Sequence, residues 1–426
     1  MKKHFKFSVV SIAVSLFMAN QAGAANTWTE SRSDAMGGTG VASGNYGSGA
    51  LINPALLAKA KPDDDVTVIL PSVGVQVTDE DNLQDEIDTI NDKINHYKDV
   101  VDDLTPREII TNPLGSINQF QGAAKDLADE LDYLKGKTAR ATAGAGLAVS
   151  IPNDVLSVAF MAKGYAHGRV SSSIDQQDID YLRGIQQSKV VAAGVALDAA
   201  LNGTDQITKN LNSTASGRAA IVSDYGVAVA RQFNLGGVPV SVGVTPKLQK
   251  TWLYNYTVSI YNFDSGDINS SRYRNDDTGF NVDAGLAADF GDNWTVGLTG
   301  KNLFSRDIDT KEVDGVRDTY QISPVVTAGV AWHTDLVTLT ADGDLTETKG
   351  FKSEENSQYV GVGAEVTPLN WLAVRAGYRA DVKNNDSNVF TGGVGFAPFN
   401  RVHLDLMGLY GEDETWGAGA QLSMTF

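Results

Sequence analysis

The stretch Trp416-Gly417-Ala418-Gly419-Ala420-Gln421-Leu422-Ser423-Met424-Thr425-Phe426 carries an apolar side chain at every even position and a small or polar one at every odd position. Successive side chains of an extended chain point to opposite faces, so this is a strand with one greasy face and one small or polar face. The pattern recurs upstream. Leu372, Val374, Ala376, Tyr378 and Ala380 share a face opposite Arg375, Gly377 and Arg379, and Val402, Leu404, Leu406 and Tyr410 stand opposite Arg401, His403, Asp405 and Met407. Val282, Ala284, Leu286, Ala288 and Phe290 oppose Asn281, Asp283, Gly285, Ala287 and Asp289, and Val326, Ala328, Val330 and Trp332 oppose Thr327, Gly329 and His333. A soluble sandwich would bury the apolar face and hydrate the charged one; a membrane barrel turns the apolar face to lipid and the charged one to its lumen. Alternation alone does not separate the two.

The connections do. Tight turns rich in Gly, Pro, Asn and Asp fall at Ile151-Pro152-Asn153-Asp154, Asn234-Leu235-Gly236-Gly237, Gly291-Asp292-Asn293, His333-Thr334-Asp335, Pro368-Leu369-Asn370 and Pro398-Phe399-Asn400. Between them lie longer polar connections: Asp79 to Lys137, Arg169 to Gly217, Asp264 to Asn275, Asp307 to Asp318, Gly350 to Asn356, Lys383 to Asn388 and the short Gly411 to Glu414. Counting from a first strand at Val66 to Val77 gives about fourteen strands, an even number, with short turns on the side of the termini and long loops on the other. The expected fold is therefore an all-β, transmembrane antiparallel barrel.

Composition narrows the function. The chain has 426 residues, no cysteine, 43 glycines and a formal net charge of -18. Its mean hydropathy of -0.17 excludes a polytopic helical membrane protein, because each spanning helix needs roughly 20 consecutive apolar residues. The absence of cysteine removes disulfides, thiolate metal sites and thiol redox chemistry. A pI near 4.6 argues against direct nucleic-acid binding, which needs basic patches. The start reads as a secretory signal over 1–24: Lys2, Lys3 and Lys6, an apolar run from Phe7 to Met18, then Ala22-Gly23-Ala24 as a small-residue cleavage site.

Two long connections carry helical periodicity. Leu83, Ile87, Ile90, Ile94, Tyr97, Val101 and Leu104 step by threes and fours, as do Leu114, Ile117, Gln121, Ala124, Leu127, Leu131 and Leu134. Thr105-Pro106 and Asn112-Pro113 punctuate the two runs, which predicts an antiparallel helical hairpin within 79–137. Its seam uses one apolar face of each helix; packing on itself or the barrel rim is the expectation, and projection toward an envelope protein partner the alternative. Ile179 to Leu211, within the insertion 169–217, also reads as helical.

The most specific text precedes the first strand, in a segment taken as 25–65, ahead of a barrel over 66–426. It runs Ser31-Arg32-Ser33-Asp34-Ala35-Met36-Gly37-Gly38-Thr39-Gly40-Val41-Ala42, then Asn53-Pro54-Ala55-Leu56-Leu57-Ala58. The glycines permit close backbone packing, and Asn-Pro starts a short helix. A dinucleotide site is excluded: Gly38 and Gly40 lack a third glycine at the right spacing and a preceding strand. This passage resembles the N-terminal region of the FadL-type outer-membrane family, which transports long-chain fatty acids and other hydrophobic compounds, and especially its relatives known as TraF-type conjugal transfer proteins. The terminal Phe426 similarly resembles the end of outer-membrane barrels, where it belongs to the assembly signal. The resemblance implies a plug inside the barrel, with Met36, Gly37, Gly38, Gly40, Asn53, Pro54 and Ala55 as plug residues, and a location in the outer membrane of a Gram-negative cell, in contact with its lipid. The long acidic hairpin departs from fatty-acid transporters, where a more apolar collecting groove is expected.

Arg375, Arg379, Arg401, His403 and Asp405 share inward-facing positions and are read as an interior ladder that holds a plug or contacts a ligand. His403 and Asp405 form the nearest approach to an acid–base pair; a charged lumen wall explains them without catalysis, and no enzyme activity is expected. His4, His96, His167 and His333 show no metal-ligand spacing. Asp63-Asp64-Asp65 and Asn384-Asn385-Asp386 read as solvated turns rather than calcium sites. No metal or cofactor is implied. The resemblance makes passive uptake of a hydrophobic small molecule, gated by the plug, the leading expectation, with the lumen arginines contacting any acidic head group. The competing one is a non-conducting envelope interaction protein associated with conjugal transfer.

Overall fold

The computed structural model describes residues 28–60, 65–79, 82–203, 211–262, 270–398 and 401–426. The signal segment, Asp63, Asp64, Phe399 and Asn400 therefore lie outside the described residues. The strands are β1 Thr67–Thr78, β2 Thr138–Ile151, β3 Ser157–Ser173, β4 Thr214–Leu235, β5 Val238–Ser259, β6 Arg274–Phe290, β7 Trp294–Lys301, β8 Arg306–Asp309, β9 Thr319–Ile322, β10 Val325–His333, β11 Val337–Asp344, β12 Tyr359–Leu369, β13 Leu372–Asp381, β14 Val389–Phe396, β15 Val402–Gly411 and β16 Trp416–Thr425. All except β8 and β9 form one closed antiparallel barrel of 14 strands. Closure comes from β1 pairing with both β2 and β16, with Val77 opposite Ala141 on one side and Trp416 on the other. A closed barrel leaves no unpaired edge, which is the condition for strands to cross lipid.

Outward positions carry the apolar band. On β6 these are Phe290, Ala288, Leu286, Ala284, Val282 and Phe280, after which the face turns polar at Thr278, Asp276 and Arg274. Ten residues of tilted strand span about 25 Å, the height of a lipid-facing band. Phe290, Trp294 and Trp371 stay half exposed at the turn end, and Phe390, Tyr410 and Trp416 at the loop end, as aromatic girdles do.

The helices form one bundle rather than a separate hairpin. Leu83–Asp102, Pro106–Thr111 and Pro113–Leu134 come from the first insertion, and Gln176–Gln187 and Lys189–Asn202 from the second. Their starts are capped locally: Thr105 accepts from Glu108 N, Asn112 from Gly115 N, Asp175 from Gln177 N and Ser188 from Val191 N. Tyr97, Phe120, Leu127, Leu131, Ile179, Leu182 and Ile185 share a single core. The packing face of the third helix is wider than the periodic stripe, running through Phe120, Ala123 and Ala128, because it contacts the helices on both sides. Arg183 reaches Asp132 at 2.6 Å, and Gln121 donates to the carbonyls of Ile185 and Gln186. Leu114, placed on the seam by its spacing, is instead exposed.

The same core includes Ala139, Val170 and Ala215 on β2, β3 and β4. Their neighbours Arg140 and Arg169 line the lumen, so alternation points Ala139 and Val170 away from it. The bundle thus leans on the outside of the wall. The connection between β7 and β10, read from the sequence as plain loop, folds inward: its Ile308, Tyr320 and Ile322, with Phe351 from the connection between β11 and β12, pack on Tyr165, Ala220, Val222 and Leu253 inside the barrel.

Candidate functional site

Residues 28–60 fill the middle of the lumen. Their first turn, Ser31–Asp34, is capped by Glu30, whose carboxylate accepts Ser33 N at 2.8 Å. Burial, and next the neighbouring Glu30, push the Asp34 carboxyl well above its ordinary range. Gly37 and Gly38 have φ of 74° and 76°, a conformation that favours glycine, and turn the chain so that Gly38 N bonds back to Ser33 O. Gly40 N and Val41 N donate to Asp342 Oδ2 at 2.7 and 2.9 Å. Asn53 then does three things at once. Its Oδ1 accepts Ala55 N, capping the 3-10 helix Pro54–Lys59, while its Nδ2 donates to Val41 O at 2.8 Å and to Leu286 O of the wall at 3.1 Å.

The wall is moulded to this segment. A Cβ at Gly285 would fall on Asn53 Oδ1, one at Gly243 on the backbone of Pro54, and one at Gly377 on the backbone of Met36 and Gly37. Met36 and Ala55 are accordingly fully buried. On the other side Leu51 and Leu57 pack with Ile69, Ala148, Ala159, Met161 and Ala228 of the wall.

Charge clamps add to the packing. Arg32 Nε and Nη2 donate to the two oxygens of Glu365 at 3.0 and 2.7 Å, a bidentate pair. Glu365 also accepts Arg375 Nε at 2.6 Å, and Arg375 Nη1 reaches Asp405 Oδ1 at 2.6 Å. Lys59 Nζ lies 2.6 Å from Asp289 Oδ1. Thr391 Oγ1 donates to Ala35 O and accepts Gly37 N, and Gln421 bonds Glu30 and Ser31 N. A separate buried network holds the wall beside the segment: Lys247 Nζ meets Asp224 at 2.7 Å, Asp283 at 2.8 Å and Asn302 at 2.8 Å.

Cavities lie on both sides. Toward the turn end one of about 740 Å³ is lined by Arg32, Lys59, Glu365, Arg375, His403 and Asp405. Toward the loop end one of about 400 Å³ is lined by Trp28, Arg140, Tyr165, His167, Arg169, Tyr320, Tyr359 and Arg379. Residues grouped as one ladder in the sequence are therefore divided: Arg375 and Asp405 pair within the clamp, His403 lines the lower cavity, and Arg379 lines the upper one. Arg401 departs from the expectation; it sits exposed in the turn before β15, beyond the ordered alternation, and does not line either cavity. The sequence reading missed Arg32, Trp28, Asp342 and Glu365. Glu365 and Asp342 had a signal, each being an acid at an inward position of a strand whose outward neighbours are apolar; Trp28 had none.

The model of the family described as "F plasmid transfer operon, TraF, protein" matches residues 50–344, more than half of the chain. The chain belongs to the TraF family. Among curated proteins no match is found. Among solved structures, the TraF-family chain is similar to the CymD monoaromatic hydrocarbon channel, with 11% identity and a TM-score of 0.52 over 95% of this chain and 99% of that one. It is similar also to the toluene transporter TbuX of Ralstonia pickettii, with 12% identity and a TM-score of 0.51 over 94% and 99%. At these identities the likeness establishes the fold, which is that of FadL-type outer-membrane barrels.

Proposed function

We propose that this TraF-family chain is a channel of the Gram-negative outer membrane through which small hydrophobic molecules pass passively, gated by movement of the segment 28–60. The observation that carries this reading is a pair of cavities in one closed barrel, on opposite sides of that segment. A molecule entering at the loop end reaches Trp28 and the Tyr165, Tyr320 and Tyr359 side chains; displacing the segment joins the two cavities. The names of the similar structures, a hydrocarbon channel and a toluene transporter, support the substrate class. The test is uptake of labelled oleate and toluene by cells lacking their own fatty-acid transporter. Uptake above the empty-vector level is expected; none, with the barrel folded in the outer membrane, overturns the proposal.

A second reading, an envelope interaction protein, is favoured by the exposed apolar residues Ile110, Leu114, Val190 and Leu201 on the helical bundle. Deleting Leu83 to Leu134 separates the two: uptake survives under the channel reading, whereas partner binding disappears under the other.

A further inference from the structure

The helix Lys189–Asn202 has two apolar faces where a bundle helix at a surface needs one. Ala192, Ala196 and Ala199 are buried against the bundle. Val190, Gly194, Leu197 and Leu201, stepping by four, three and four, share the other side, where the three large side chains are 83%, 52% and 70% exposed. The short helix Pro106–Thr111 packs beside it, turning Ile109 toward the bundle core and Ile110 outward. Ile110 and, four residues on, Leu114 are both more than half exposed.

Topology puts these side chains at the end of the bundle away from the wall. Leu83 and Leu134, which open and close the helices of the first insertion, meet Val170 and Ala215 of the barrel. From Leu83 the first helix runs to Asp102, about 30 Å at 1.5 Å per residue, before the chain turns through Pro106–Thr111. A convex helix surface this exposed does not enclose a small molecule, which needs a cleft covering most of it; exposed apolar side chains gathered on two adjacent helices fit another macromolecular surface.

Charge selects which surface. Over 83–134 and 175–202 the sequence has 16 acidic and 6 basic residues, a net -10 in a chain of -18. Of the bases, Lys93, Lys125 and Arg183 are already paired with Asp126, Asp129 and Asp132 of the bundle itself. On the segments that carry the apolar side chains, Asp102, Asp103, Glu108 and Asp198 stand exposed against Arg107 and Lys189. A second copy of the chain brings the same negative field, and an anionic lipid surface brings another; both repel the bundle, whereas a cationic protein surface is drawn to it. We propose that this face docks a protein segment of the opposite design, an amphipathic helix with apolar anchors in a basic surround, laid along Val190, Leu197 and Leu201. The proposal rests on the interaction reading of the bundle and names the partner's chemistry; it is independent of whether the barrel conducts.

The experiment uses the full chain in nanodiscs of neutral phosphatidylcholine and three labelled peptides of equal length, read by fluorescence anisotropy: a Leu/Lys helix with one apolar face, the same residues in scrambled order, and a Leu/Glu helix that keeps the apolar face. The amphipathic Leu/Lys peptide is expected to bind about tenfold or more tightly than either of the others, and less tightly as salt is raised. Val190→Ser, Leu197→Ser and Leu201→Ser together are expected to lose about tenfold of that affinity; the three side chains are exposed, and unchanged protease resistance shows the bundle intact. Asp103→Asn, Glu108→Gln and Asp198→Asn together are expected to narrow the preference over the Leu/Glu peptide and spare the apolar contact. Equal binding of the amphipathic and scrambled peptides, equal binding of the Lys and Glu peptides, or an unchanged affinity in the Ser variant overturns the proposal. So does a different occupant, seen as self-association in sedimentation or co-flotation with lipopolysaccharide vesicles that the Ser variant abolishes. A photo-cross-linker at Leu197 in cells separates the failures: cross-links to protein without any peptide preference keep the interaction reading and overturn the cationic partner, and no cross-link with no peptide binding overturns both.

Discussion

Replacing Arg32 with Gln asks how much of the hold on the plug is charge. Arg32 gives two N–H groups to Glu365, at 3.0 and 2.7 Å, with its side chain 14% exposed. The substitution deletes both bonds but leaves Glu365 paired with Arg375, so no buried charge is orphaned. At about 1 to 1.5 kcal/mol per bond after discounting for solvent, the loss is about 2 to 3 kcal/mol. The population of a plug-displaced state then rises roughly 30- to 150-fold. Glu365→Gln goes further, because it leaves Arg32 and Arg375 both short of a carboxylate in a buried place, a cost of about 3 to 5 kcal/mol. The chain has no cysteine, so a single reporter thiol is clean. Ser33 is buried and its Oγ has no hydrogen-bond partner among the described residues, so Ser33→Cys changes little in the docked plug. With a membrane-impermeant maleimide under conditions where opening is fast and labelling slow, the rate follows the displaced fraction. The expected order is parent, then Arg32→Gln about 30- to 150-fold faster, then Glu365→Gln faster still. An Arg32→Gln rate within about threefold of the parent, or the reverse order of the two variants, would refute the charge-clamp reasoning and leave the apolar and glycine contacts as the hold on the plug.

Gly377→Val puts a Cβ onto plug backbone, which no side-chain rotation relieves; a cost of about 3 kcal/mol or more should displace the plug, seen as accelerated Ser33→Cys labelling in a barrel that still runs as a folded band. Because burial and then Glu30 raise the Asp34 carboxyl above its ordinary value, the docked plug binds a proton that the displaced plug releases. Docking is fully stabilised below about pH 4 and weakens as pH rises through the raised value; labelling, divided at each pH by the rate of a free model thiol because the thiolate is the reacting form, should therefore quicken with rising pH and lose that dependence in Asp34→Asn, and a normalised rate that quickens on acidification would contradict this. Leu127, wholly buried in the helical bundle, should cost about 2 to 5 kcal/mol on conversion to Ala, measured as earlier proteolysis of the bundle with unchanged heat-modifiability of the barrel.

The legible part of this molecule is the part written with short period. Phe280 to Phe290 alternates so strictly that its inward Asn281, Asp283 and Gly285 and the polar edge at Thr278 are visible in the text. The tight turns are equally local, resting on Gly, Pro, Asn and Asp. The breaks read at Thr105-Pro106 and Asn112-Pro113 fall at helix boundaries in the structure because capping involves residues three apart, although the short helix Pro106–Thr111 between them was not foreseen. The inward hairpin of β8 and β9 was not legible, since Asp307 to Asp318 is mostly polar, its Ile308, Val313 and Val316 showing no strand period, and the anchors Ile308, Tyr320 and Ile322 act through contacts with distant strands. Nor was the shared bundle: Leu114 fits a two-helix seam by spacing, and only the arrival of the Gln176–Gln187 helix turns the packing face toward Phe120 and Ala123. Arg401 follows the strand parity yet lies in a turn, because alternation carries no information about where a strand begins.

By itself the sequence determined that this is a barrel, how its faces divide and where its helices lie, because each depends on residues within a few positions of one another. Tertiary structure alone decided that Arg375 meets two carboxylates while Arg379, four residues on, meets Gln76 and the faces of Trp28 and Tyr359, and that Gly285 and Gly377 are seats for Asn53 and Met36. Those outcomes require closure of the barrel, which sets Gln76 of β1 against Arg379 of β13, 303 positions apart, and partners at such separations leave no periodic trace in the chain.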